Sequence, residues 1–104
     1  MKLIKAIIRP EKEADVIQGL EQAGLSALTK WDVLGRGRQK GIQVGGTVYD
    51  ELSKLCVLLV VQDQDVPKAV NAILASAKTG HPGDGRIFVS DVKAAYTIRT
   101  GKPD

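Results

Sequence analysis

Two segments of this sequence concentrate residue types that handle anions. The first is Gly35-Arg36-Gly37-Arg38-Gln39-Lys40-Gly41. Glycine lets the backbone approach a ligand closely and present its N–H groups, and Arg38 and Lys40 add positive charge, the makings of an anion or phosphate cradle. The second is Thr79-Gly80-His81-Pro82-Gly83-Asp84-Gly85-Arg86, where two glycines flank an acid and a base follows. Neither segment is a GxxxxGK[ST] phosphate loop, and neither is a GxGxxG dinucleotide fingerprint in its required context. Each alone could be a plain turn. Asp84 could shape a turn through its own carboxylate as readily as touch a ligand. Two such loops in one small chain tip the balance towards binding.

Other chemistry finds less support. His81 is the only histidine and has no carboxylate partner at triad spacing, so it reads as a surface loop residue. Cys56 lies inside an apolar run and reads as a small buried hydrophobe. Trp31 reads as packing. With one cysteine and one histidine, a Cys/His metal site is excluded by count. A hard-cation site that combines Gln39 with ligand phosphates stays open.

The elements that must hold these loops follow from periodicity. Residues 3–9 are short, apolar and isoleucine-rich, which reads as a strand. Pro10 ends it and suits a helix start, with Glu11 and Glu13 favouring the N-terminus. Val16, Ile17, Leu20 and Ala23 share one helical face, and Gly24 is a natural stop. Residues 25–34 alternate as a long strand with one more polar face. Residues 35–46 carry five glycines and no periodicity, and the loop could extend over about 36–53. Asp50 and Glu51 near Tyr49 would keep it soluble. Residues 55–61 form a continuous apolar run, a buried or central strand. Asp63 and Asp65 offer N-caps, Pro67 fits a first turn, and Val66, Ala69, Val70, Ile73, Leu74 and Ala77 make the best amphipathic helix, closed by Gly80. Residues 86–92 are the last strand, and the tail from residue 96 is short and polar.

Strand, helix, strand, long loop, strand, helix, strand is the ferredoxin-like α+β arrangement βαββαβ, in one domain spanning residues 1–104. Both helices then fall on one sheet face, and another subunit is the expected cover for the other. The core must be aliphatic, because the chain has one Trp, two Tyr and one Phe. A net charge of +3 suits phosphate-bearing small molecules and falls well short of a nucleic-acid-binding tail. A single cysteine, no run of about 18 apolar residues and no signal-peptide pattern point to a cytoplasmic protein that is not membrane-embedded.

The residues Lys5-Ala6-Ile7-Ile8-Arg9-Pro10, the GRQKG segment at 37–41, Thr79-Gly80, Gly83-Asp84-Gly85-Arg86-Ile87-Phe88-Val89 and Ile98-Arg99-Thr100-Gly101 together resemble the PII family of nitrogen-regulatory signal proteins. The resemblance covers essentially the whole chain. It implies a trimer with ATP or ADP in the clefts between subunits. Thr29, Gly35, Gly37 and Arg38 would line the nucleotide site, and Gly83, Asp84, Gly85 and Arg86 would meet its phosphates. Arg99 would approach from the neighbouring subunit. Gln39 would hold Mg²⁺, and Lys54 with the backbone of Gln39, Lys40 and Gly41 would hold 2-oxoglutarate. Residues 36–53 would be the family's target-binding T-loop. This T-loop is about four residues shorter than in the common bacterial members. Tyr49 is off the spacing from Lys54 expected of the family's uridylylated tyrosine, and Thr97 stands where many members carry an arginine. The segments 32–37 and 49–54 are most similar to the nitrogenase-associated subgroup, which acts with a second paralogue.

The implied function is that of a non-enzymatic regulator. ATP or ADP and 2-oxoglutarate would bias the loop and so control a target. That target would be dinitrogenase, or alternatively an ammonium transporter or glutamine synthetase. From another class, an RNA-binding ferredoxin-like domain would need exposed aromatics on the central strands, and residues 55–61 have none. A small enzyme would need an acid–base pair or a nucleophile, and no convincing one is found.

Overall fold

The computed structural model describes residues 1–36, 42–44, 47–49 and 51–104. The chain runs β1 (Lys2–Ile8), α1 (Glu13–Gln22), β2 (Thr29–Gly35), β3 (Ile42–Val44), β4 (Thr47–Tyr49), β5 (Leu52–Val61), α2 (Val66–Ala77), β6 (Arg86–Asp91), β7 (Tyr96–Thr97) and β8 (Lys102–Pro103). The main sheet has the order β2-β5-β1-β6, with every neighbouring pair antiparallel. This is the expected ferredoxin-like α+β topology. The apolar run at 55–61 is indeed a central strand, because β5 is bonded to β2 on one side and β1 on the other.

Alternation decides the faces. In β1, Ile4, Ala6 and Ile8 are buried. They pair across to Leu59, Val57 and Leu55 of β5, so both strands send their aliphatic residues to one side. Val16 and Leu20 of α1 and Ala69, Ile73 and Ala77 of α2 complete that core. No buried side-chain polar atom among the described residues is left without a hydrogen-bond partner.

Several boundaries differ from the sequence expectation. A single 3₁₀ turn, Pro10–Lys12, precedes α1, so the α-helix proper begins at Glu13. The α1 stop is as expected: Gly24 takes a positive φ of 80° and its N–H donates to Glu21 O. Leu25 N–H then reaches back to Leu20 O at 2.8 Å. That bond is why β2 starts at Thr29 and not at residue 25. Leu25 and Leu28 both pack against the core, which strict strand alternation could not achieve. Asp63 and Asp65 make no side-chain cap on the helical segment that follows. Asp63 instead takes the Met1 amine at 2.6 Å, and Asp65 pairs with Lys68 at 3.5 Å. The α2 helix ends at Ala77, where Lys78 turns extended, so Gly80 belongs to the following loop and does not close the helix. β5 begins at Leu52, inside the span expected for the long loop, and β3 and β4 within that span pair antiparallel, Ile42 opposite Tyr49. The polar tail forms a small hairpin, β7 with β8, in which Thr97 Oγ1 donates to Asp104 Oδ1 at 2.5 Å.

Among the described residues, the second face of the sheet has no helix on it. Leu3, Lys5 and Ile7 of β1 lie there, in register with Val60, Leu58 and Cys56 of β5. Trp31 of β2 stands opposite Cys56, and Phe88 of β6 stands opposite Lys5. Cys56 is buried, while Trp31, Val60 and Phe88 are exposed. Both aromatics sit on edge strands and the central strands carry none, which is the wrong layout for stacking bases on an RNA-binding sheet.

Candidate functional site

The C-terminal end of β1 and the N-terminal ends of β5 and β6 lie at the same end of the sheet, beside the C-terminal end of β2. Residues 79–85 form the loop that enters β6 there. Its shape is set from within by Asp84. That carboxylate accepts the N–H groups of Thr79 and Gly80, each at 2.9 Å, and the Thr79 hydroxyl. The Nε of Arg9 donates to it at 3.0 Å. The Thr79 hydroxyl and N–H bonds, with those from Arg9 and Gly80, hold the Asp84 carboxyl well below the usual carboxylate range, outweighing the effect of partial burial. Of the two readings open for Asp84, turn former or ligand contact, these contacts perform the first.

Two cations converge on the middle of the loop. Arg9 Nη2 donates to the Pro82 carbonyl at 2.9 Å, and Lys54 Nζ donates to the Gly83 carbonyl. A Cβ placed on Gly83 would lie 3.4 Å from Arg9 Nη2 and 3.5 Å from Lys54 Nζ, and its φ of 97° would strain any other residue. Burial, followed by the neighbouring Arg9 charge, lowers the Lys54 pKa, with Glu11 and Asp84 opposing. An ammonium that is partly desolvated beside a second cation is a place where an added anion would be stabilised.

Gly85 makes the closest approach. A Cβ there would fall 1.7 Å from the Ile7 carbonyl oxygen, and the residue's φ is 102°. The loop is therefore pressed onto the backbone of β1 just before Arg9. Gly35, at the end of β2, comes into the same neighbourhood: its Cβ would lie 3.2 Å from Lys54 Cγ.

The structure thus brings together Gly35, Lys54, Gly83, Asp84 and Gly85 of the residues picked from the sequence, with exposed Arg86 opening β6 opposite Ile7. Thr29 lies apart from Gly35 at the opposite end of β2. Arg99 sits in the turn of the separate β7–β8 hairpin. Gly37, Arg38, Gln39, Lys40 and Gly41 lie outside the described residues. The residue that sequence reasoning missed is Arg9. It stood in plain view before Pro10, but its reach to Pro82 and Asp84, 73 and 75 residues away, is a product of the sheet order.

The arrangement suits binding of an anion by backbone and cationic groups. His81 is exposed, and its N–H donates to Thr79 Oγ1 at 3.2 Å. No helix among the described residues is long and apolar enough to cross a membrane.

Comparison with known proteins agrees with the fold. The family model described as nitrogen regulatory protein P-II matches residues 1–102. A nitrogen fixation nifHD1 region GlnB-like protein 1 from Methanosarcina barkeri is 54% identical over 103 residues, covering 99% of this chain and 98% of the relative. A nifHD region GlnB-like protein 1 from Methanothermococcus thermolithotrophicus is 50% identical, covering 98% and 97%. A nitrogen regulatory protein P-II 2 from Methanothermobacter thermautotrophicus is 48% identical, covering 98% and 92%. With a whole-length family match and relatives at about half identity on both chains, this chain belongs to the nitrogen regulatory protein P-II family.

Proposed function

We propose that the chain is a non-catalytic sensor that binds ATP or ADP at the 79–86 loop and 2-oxoglutarate beside Lys54. It transmits their occupancy through residues 36–53 to a target. The observation that carries this reading is the convergence of Arg9 and Lys54 on Gly83. It joins a glycine loop suited to phosphates to the strand end from which residues 36–53 depart. In this reading Arg86 adds charge at the phosphates and Arg99 reaches them from a neighbouring subunit. Gln39 serves Mg²⁺, and the backbone of 39–41 helps hold the 2-oxoglutarate carboxylates. Bound Mg²⁺ would supply charge neutralisation between nucleotide and carboxylate.

The uncovered sheet face supports assembly, because an apolar surface of this kind is normally buried against a partner. A homotrimer, or a hetero-oligomer with a paralogue, would bring Arg99 of one subunit to the loop of the next. Relatives named for nitrogen fixation nif regions favour a role tied to nitrogen fixation, and in this reading the target is dinitrogenase in the cytoplasm. The P-II 2 relative favours a second reading, a general nitrogen regulator; its target would then be an ammonium transporter or glutamine synthetase.

Isothermal titration with ATP, with ADP, and with MgATP plus 2-oxoglutarate tests the sensor. Saturable heat with a nucleotide is expected, and silence with every nucleotide sinks the reading. Affinity capture from a nitrogen-fixing lysate, with and without 2-oxoglutarate, separates the targets.

A further inference from the structure

Arg9 is joined to the 79–86 loop at two points, a side-chain carboxylate and a backbone carbonyl. Its Nε donates to the Asp84 carboxylate at 3.0 Å, and its Nη2 donates to the Pro82 carbonyl at 2.9 Å. The same carboxylate organises the loop entrance by accepting the Thr79 and Gly80 N–H groups. Arg9 stands one residue beyond β1, just past the stretch against which Gly85 is packed. A planar guanidinium with fixed donor directions can set the spacing between two acceptors, whereas a lysine ammonium is a single point charge. Arg9 and Asp84 are both largely shielded, with side chains 22% and 24% exposed, so the pair is less screened than a surface ion pair.

We infer that Arg9 is a positioning residue. It fixes the shape of the 79–86 loop through Asp84 and Pro82, and so sets nucleotide affinity without being the group that grips the phosphates. The second half rests on the nucleotide reading given above. Lys54 contributes differently, through a single bond to Gly83 from a flexible stem, so it can leave the loop without undoing it.

The test compares wild type, Arg9→Gln, Arg9→Lys, Asp84→Asn and the Arg9→Gln/Asp84→Asn double variant. Amide resonances and hydrogen exchange are read without ligand, and ATP affinity by titration. Arg9→Gln should shift the Thr79 and Gly80 amides and speed their exchange about tenfold or more, while β5 amides stay protected. It should weaken ATP at least about tenfold, with Arg9→Lys intermediate. The double variant should be little worse than either single variant, because both break one device; a residue that touched the ligand independently would give additive losses. Unmoved Thr79 and Gly80 amides in Arg9→Gln, ATP affinity within about twofold of wild type, or additive losses would each overturn the inference. If wild type itself binds no nucleotide, the sensor reading fails and the amide data alone decide whether Arg9 shapes the loop.

Discussion

Gly85 shows how much one missing methyl group can carry. Its Cα faces the Ile7 carbonyl so closely that a Cβ would lie 1.7 Å from the oxygen, and the atom in the way is backbone that cannot rotate aside. Gly85→Ala must therefore separate the start of β6 from β1 as well as force an unfavourable φ. We expect a loss of about 2 kcal/mol or more, read from a urea transition. Titration at the same site has a definite sign. The Asp84 pKa is depressed from 3.8 by its hydrogen bonds, so its contribution to stability is complete above the unfolded value and is lost as pH falls through the lower folded one. The Thr79 and Gly80 amide shifts should accordingly hold from pH 7 down to pH 4 and change only in stronger acid. Lys54 runs the other way. Its pKa is lowered from 10.5, chiefly by burial, so affinity for a dicarboxylate should fall as pH rises through that lowered value, before an ordinary lysine would titrate. Titrations at pH 7, 8.5 and 9.5 would show it.

At the level of elements, the two helices and the sheet divide their tasks. Leu20 is fully buried on α1 and also carries the carbonyl that receives Leu25 N–H. Leu20→Ala should cost about 2–5 kcal/mol by denaturant unfolding. The element order and the core faces were legible in the sequence, because Val16 with Leu20 and Ala69 with Ile73 follow helical spacing, and the 55–61 run read as a buried or central strand. The ends were less legible. Leu25 and Leu28 looked like alternating strand residues because sequence shows apolar spacing but not the hydrogen bond that turns Leu25 back to α1. The glycine loops were legible as loops, and the 79–85 segment is indeed one, entering β6. Arg9 was not, because its partners are fixed by β1 and β6 lying side by side, which is a tertiary fact.

For the whole molecule, the sheet face that no helix covers among the described residues matters most for assembly. It presents Trp31, Val60 and Phe88 to solvent, at 42%, 46% and 50% exposure, around the buried Cys56. A second sheet or subunit laid on this face would shield them, and each fully buried large apolar side chain adds roughly 1.5–3 kcal/mol. Light scattering should find an oligomer, expected as a trimer. Val60→Asp should shift it towards the monomer with the helix-side core intact, because Val60 points away from that core. An unchanged mass would place the interface elsewhere.

β5 has one further consequence. Between Leu55 and Leu58 it is paired to β2 on one side and to β1 on the other, and its first residue, Leu52, lies inside residues 36–53. Opening that starts in those residues cannot spread inward strand by strand, since releasing Leu55 or Val57 means breaking two ladders at once. The slowest amide protons of the molecule should therefore lie within a few residues of the segment proposed to meet its target. A step in exchange rate near Leu55, where the second ladder begins, would mark where the chain stops responding and starts to resist.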